Sequence, residues 1–352
     1  MNNGWFADKY AVDLGYNQFS GSELWHWPYD APLSIDLSKP DPNPPRPLLS
    51  DHPELVDQYF SQIHGIDVVR IWVFERLEGI RFDASNRIVG IDSDLLNNAL
   101  AILNSANAHG VKVYFCLFDS WVVKYQPPQG LPSSRIIHYD AWNAAIRNIM
   151  KSIVENPSDF ISRVLQPFVN AIASHPAVYA IDVMNEPEGM TENIPPIASD
   201  SSMRNYISQC CSVIRPRLKA SVGCMRISTA KSYSNLPIDF CDFHSYLEVV
   251  GLDPYRQNSY NNKPCVIGEC GYPGDRPVAV RSANEVQNAK DYVTLAYDKG
   301  YSGCLIWNGF TSDANRTAAE QWSKQFASNN NQVRPAPAMT FWEWLLSLFG
   351  IT

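Results

Sequence analysis

Nowhere does this chain hold an apolar run of the roughly 18 to 20 residues that crossing a bilayer requires. Its nearest approach, residues 341–351, is too short to span. Long basic runs are absent as well, and the net charge of −8 leaves no surface suited to tracking phosphates. This argues against nucleic acid or anionic membrane as the principal partner, and a neutral substrate fits better. Charged residues make up only 18% of the sequence against 45% hydrophobic, a balance that fills a core and argues against a disordered chain. No glycine-rich phosphate loop opens a helix, and His138, His175 and His244 stand on separate segments without ligand spacing, so neither a cofactor nor a metal is expected. Residues 1–10 lack a basic segment followed by an apolar core. The expectation is a cytoplasmic protein, or a secreted one whose signal has been removed. There is no internal repeat of fixed period.

What the chain does have begins with eight cysteines, spaced neither as a disulfide scaffold nor as a metal knuckle. Cys116, Cys224, Cys241, Cys265, Cys270 and Cys304 fall inside apolar runs, where cysteine behaves as a small buried hydrophobe. These thiols are expected to be reduced. Short β-rich runs alternate with longer segments of helical period, the pattern of a parallel sheet built from βα units. The runs are residues 11–17, 66–74, 111–119, 178–186, 222–230, 240–246, 264–271 and 303–310. Eight such units predict a single α/β domain, a (β/α)8 barrel over residues 1–328 with long top-face loops. Helices are expected over 94–109, 140–154, 158–173, 201–215 and 283–299, with Gly110 stopping the first and Pro157 dividing the second from the third. The link from 230 to 240 has room for only a turn of helix. The proline-rich stretch 40–47 reads as part of a long first βα loop, and Ser328-Asn-Asn-Asn-Gln332 sets off a hydrophobic C-terminal appendage, residues 329–352. Its large apolar residues are expected to pack on the barrel or at a subunit contact.

In such barrels the catalytic groups stand at the C-terminal ends of strands. The fourth run ends Asp182-Val-Met-Asn-Glu-Pro187 and the seventh ends Val266-Ile-Gly-Glu-Cys270, so each presents a glutamate there. A lone glutamate at a strand end serves equally as a salt-bridge partner or a helix cap. Two at the same end of one barrel suggest a pair, because burying an unpaired charge is costly. Paired carboxyls are the apparatus of glycoside hydrolysis, one protonating the leaving oxygen and the other attacking the anomeric carbon or activating water.

With these residues in view, the sequence resembles clan A of the glycoside hydrolases, most closely family 5, which includes cellulases and β-mannanases. The resemblance runs from about residue 10 to residue 310. It rests first on Asn185-Glu186-Pro187, which matches the family's Asn-Glu-Pro motif, and on His244-Ser-Tyr246, which matches its His-x-Tyr pair. It implies Glu186 as acid/base, Glu269 as nucleophile, and Asn185 as the ligand of the sugar 2-hydroxyl. It also implies Tyr246 as a hydrogen-bond partner of the nucleophile, Arg70 as its supporting cation, and Trp307 as the platform under the reacting sugar. Read singly, Arg70 fits a core ion pair, His244 a satisfied buried imidazole and Trp307 a packing role.

The third run departs from the family pattern. It ends Leu117-Phe-Asp-Ser-Trp121, where many members place a histidine and mannanase-like members an Asn-Asn-Trp matched here only at Trp121. Asp119 and Trp121 are expected to shape the substrate site, and Trp25 and Trp27 to stack on sugar or to anchor the first loop. The expected activity is retaining hydrolysis of a β-linked glucan or mannan, polymer or oligosaccharide. The alternatives are an exo-acting β-glycosidase or transglycosylase of another clan A family and, from a different class, a noncatalytic carbohydrate-binding barrel.

Overall fold

The apolar alternation of the sequence becomes a sheet in the computed structural model, which describes residues 2–3, 53–61, 67–74, 77, 79–124, 133–245, 252–270, 295–296 and 298–306. The strands are β1 (Asn2–Asn3), β2 (Val68–Trp72), β3 (Ile80–Phe82), β4 (Ile88–Ile91), β5 (Lys112–Cys116), β6 (Val178–Asn185), β7 (Ala220–Cys224), β8 (Cys241–Ser245), β9 (Cys265–Cys270) and β10 (Gly303–Ile306). Eight of them form one sheet in the order β1-β2-β5-β6-β7-β8-β9-β10, every neighbouring pair parallel. Parallel neighbours in chain order, joined by helical crossovers, make the (β/α)8 barrel that the sequence predicts. The first strand expected at 11–17 lies outside the described residues, as do the proline-rich loop, most of the helix expected at 283–299 and the C-terminal appendage. Asn2–Asn3 is the segment paired with Arg70 and Ile71 of β2. The antiparallel hairpin β3–β4 was not anticipated.

Element boundaries follow local chemistry. The helix Ser93–Ala108 starts where the Asp92 side chain accepts the Asp94 N–H, and the chain leaves it through Gly110 at φ 72°, a left-handed conformation that glycine adopts without a Cβ penalty. Pro157 separates Ser133–Glu155 from the helical segment starting at Ser158, as expected, and that segment widens to a π turn over Ile161–Leu165. One boundary needs correction. The fifth run, read as a strand over 222–230, ends at Cys224, and Ile227–Tyr233 is helical. Ile227, Ala230 and Tyr233 recur at helical spacing, with Ala230 and Tyr233 buried; β-favouring residue types continue past Cys224, but Arg226 interrupts the run and the period changes.

Side chains on alternate strand positions enter two different cores. Val113 and Phe115 of β5 and Phe243 of β8 join the main core between sheet and helices. There Phe74, Phe115, Phe118, Phe160 and Phe168 interlock with ring centroids 5.0–6.1 Å apart, buttressing the ends of β2 and β5 directly beneath Asp119. Inside the barrel, a small apolar floor of Tyr114, Ala180, Phe240 and Val266 supports a polar layer containing Arg70, Asp182, Ser221 and Asp242, all fully buried. Such a layer stands only if its members bond one another.

Glycine makes room for it. A Cβ on Gly268 would lie 1.9 Å from Oδ1 of Asp242, whose other oxygen accepts the Tyr114 hydroxyl at 3.0 Å. With Asp242 completely buried and held, Gly268→Ala should cost about 1–3 kcal/mol by overpacking. Gly90→Ala, with open space around its Cβ, should stay within about 0.5 kcal/mol. Urea denaturation of the two variants checks this; equal stabilities would show that Asp242 can move aside.

Candidate active site

Four strands, β2, β6, β8 and β9, deliver side chains to one point. Arg70 of β2, wholly buried, donates from Nη1 to Oε1 of Glu269 at 2.8 Å and from Nη2 to Oδ2 of Asp182 at 2.5 Å and Oδ1 of Asn185 at 2.8 Å. Its rigid fork thus ties β9 to β6 across the barrel. The amide of Asn185 is oriented from both ends, because its Nδ2 donates to Oδ1 of Asp119 at 3.0 Å. That same oxygen accepts the Trp121 backbone N–H at 3.0 Å. Asp119 therefore sets the turn that carries Trp121 and the face that Asn185 presents.

Glu186 follows β6 directly and is the most constrained residue of the site. Its φ is +44°, a left-handed value that a non-glycine residue holds only when its surroundings impose it. The surroundings are visible: its N–H donates to the Gly223 carbonyl at 2.5 Å, and the Ser120 hydroxyl donates to its carbonyl. At the side chain, Oε2 accepts the Trp121 indole N–H, and Oε1 lies 2.7 Å from Nδ1 of His244. Burial raises the Glu186 pKa above the usual carboxylate range, against the opposing pull of Trp121, Arg70 and Arg226. A carboxyl whose pKa is raised holds its proton more firmly, as a proton donor requires.

His244 stands between the two glutamates. Its Nδ1 is 3.4 Å from Oε2 of Glu269 as well as 2.7 Å from Glu186. Burial, only partly offset by Glu269, lowers its pKa to about 4, so the ring is neutral at neutral pH and Nδ1–H is the donor to a carboxylate. One carboxylate oxygen of Glu186, one of Glu269 and a ring nitrogen of His244 all lie within 4.8 Å of one another. Those donor types could also converge on a metal ion, but Arg70 already supplies a positive charge 2.8 Å from Glu269.

The structure thus brings together Arg70, Asp119, Trp121, Asn185, Glu186, His244 and Glu269 of the residues expected from sequence. Tyr246, Trp307, Trp25 and Trp27 lie outside the described residues. Sequence reasoning passed over Asp182, Ser120, Gly223 and Glu188. Asp182 carried a usable signal, a carboxylate inside an apolar strand run. Gly223 carried none: a Cβ there would lie 2.8 Å from Asp182 Oδ2, 3.0 Å from Arg70 Nη2 and 3.2 Å from His244 Nε2, a closeness created across strands. Glu188, buried just after Glu186, accepts the Met225 and Arg226 backbone N–H groups at 3.0 and 3.3 Å and ties the turn after β6 to the end of β7.

No family model matches the chain. In sequence it is 24% identical over 350 residues to a mannan endo-1,4-β-mannosidase of Mytilus edulis, covering 87% of this chain and 82% of that protein. A mannan endo-1,4-β-mannosidase of Cryptopygus antarcticus is 24% identical over 295 residues, covering 69% and 70%. Among solved structures, the β-1,4-mannanase of the sea hare Aplysia kurodai superimposes with a TM-score of 0.60 at 15% identity, over 96% of this chain and 95% of that one. That likeness establishes the barrel fold.

Beneath the site, burial pushes the Asp242 carboxyl well above the usual carboxylate range, with Arg70 pulling the other way. A carboxyl whose folded pKa exceeds its unfolded value of about 3.9 contributes stability that is complete below that pH and is lost as pH rises through the folded pKa. Replacing Asp242 by Asn should therefore narrow the difference between stability at pH 5 and pH 7 by about 1–3 kcal/mol, from a slope of at most about 1.4 kcal/mol per pH unit. Urea unfolding at the two pH values reads it directly. An unchanged difference would mean that Asp242 ionises alike in both states.

Proposed function

We infer that this chain is a retaining glycoside hydrolase of the family 5 type, acting on β-1,4-linked mannan. The observation that carries the reading is that one oxygen of Glu186 and one of Glu269 lie within 4.8 Å of each other, both beside Nδ1 of His244. Retaining glycosidases hold their carboxyls roughly 5–5.5 Å apart, whereas inverting ones need roughly 6.5–9.5 Å to admit a water. The sequence likeness to two proteins named mannan endo-1,4-β-mannosidase supports both the reaction class and mannan as the substrate.

In this mechanism Glu269, ionised beside Arg70, attacks the anomeric carbon while Glu186 transfers its proton to the departing glycosidic oxygen. The products of that step are a glycosyl ester on Glu269 and a Glu186 carboxylate. Glu186 then takes a proton from water, which attacks the same carbon and releases Glu269. The neutral His244 ring donates Nδ1–H to whichever glutamate carries charge. Trp121 steadies the anionic form of Glu186, and Asn185, fixed between Arg70 and Asp119, takes the sugar 2-hydroxyl. Tyr246, directly after β8, and Trp307, directly after β10, are assigned to the nucleophile and the sugar face by the same reading.

The reading is tested with a 2-deoxy-2-fluoro β-mannoside bearing a good leaving group, since fluorine slows both steps while the leaving group keeps the first fast enough for the ester to accumulate. Peptide mapping should place the label on Glu269. Glu186→Ala should lose about 10²–10⁴-fold in turnover on poor leaving groups, lose far less on activated aryl glycosides, and form a β-glycosyl azide when azide is added. An α-configured first product, or a label on Glu186, would overturn it.

A further inference from the structure

Asp182 is a buried carboxylate that the reaction above does not use, yet it makes the 2.5 Å contact with Arg70. Its second oxygen accepts the Met184 and Gly223 backbone N–H groups at 3.1 and 3.0 Å, so β6 and β7 hold it in place without any mobile group. The guanidinium is consequently gripped on the side away from Glu269, and Nη1 is the nitrogen left to meet the nucleophile. We propose that Asp182 is a positioning residue for Glu269, fixing the Arg70 fork and cancelling its charge so that both glutamates ionise at the pH values double displacement needs. This rests on the glycosidase reading.

The physical case is one of charge balance in a water-poor interior. Arg70 alone beside Glu269 would leave the pair neutral, and the cation would bind the carboxylate tightly against attack. With Asp182 present, the group of Arg70, Asp182 and Glu269 retains one negative charge. That charge discourages early proton loss from Glu186 and favours an oxocarbenium-like carbon above it. Other titratable groups lie around this cluster: Tyr114 and Cys116 from β5, Cys224 from β7, Asp242 and His244 from β8, Tyr206 from the helix Asp200–Ile214, and Glu188 from the turn after β6. Burial raises the pKa of Tyr114, Cys116, Tyr206 and Asp242 and lowers that of His244, so each is held toward its neutral form. Asp182 is thus the carboxylate that meets the guanidinium opposite the nucleophile.

The test is Asp182→Asn, which keeps the shape and the acceptor for the two backbone N–H groups while removing the charge. Both limbs of the pH profile of kcat/KM on a soluble mannan should move to lower pH, by on the order of one unit. Carboxyl-carbon NMR titrations of glutamate-labelled protein, assigned with Glu186→Gln and Glu269→Gln, should show the same direction without reference to turnover. Asp182→Ser, smaller and unable to clash with Gly223, should agree in sign. Loss of activity with both limbs in place, or unmoved carboxyl titrations, would overturn the proposal. Failure of both variants to fold would assign Asp182 to the barrel instead and overturn it equally. A wild-type protein that cleaves no β-mannoside would defeat the glycosidase reading, and the carboxyl titrations would still decide the role of Asp182.

Discussion

A single guanidinium, that of Arg70, dictates much of what surrounds it. It is completely buried in the barrel and cannot give up its charge, so the fold must supply anions at fixed positions. Asp182 and Glu269 do so at 2.5 and 2.8 Å, and Asn185 accepts a third bond. Each partner imposes a further condition. Asp182 needs two backbone amides and a glycine at 223; Asn185 needs Asp119 to fix its other end. A buried ion cluster stands when its members bond one another, as Arg70, Asp182, Asn185 and Asp119 do.

Two carboxyls that bring one oxygen each to within 4.8 Å are set to behave differently by what touches each of them. Glu269 lies against the cation. Glu186, partly buried after the end of β6, is in contact with an indole N–H and a neutral imidazole, and its pKa is raised. The asymmetry is therefore environmental, since the two side chains are chemically identical. Rigidity maintains it: Glu186 is held at a left-handed φ by bonds from both its N–H and its carbonyl, and the phenylalanine cluster below leaves the ends of β2 and β5 little freedom.

The departure at the third strand also has a physical reading. Asp119 accepts the Asn185 side chain and the Trp121 backbone, and Trp121 reaches Glu186. A carboxylate at 119 is an acceptor only, so it orders both donors. Trp121, expected to shape the substrate site, is placed against the acid/base candidate.

Composition and alternation by themselves determined the class of this protein. Parallel strands buried on both faces read as apolar runs of local sequence, and a glutamate ending such a run is conspicuous for the same local reason, so the barrel, Glu186 and Glu269 were legible. The end of β7 was misread, because β-favouring residue types continue past Cys224 while the period of the apolar positions changes from strand to helix. The hairpin β3–β4 was missed because its strands are only three and four residues long. Tertiary structure alone decided what holds Arg70 and Asn185 from the other side: Arg70 and Asp182 are 112 positions apart, and Asp119 and Asn185 are 66 apart. Contacts at such separations leave no local pattern, because closure of the barrel brings the strand ends together and electrostatics depends on distance through space.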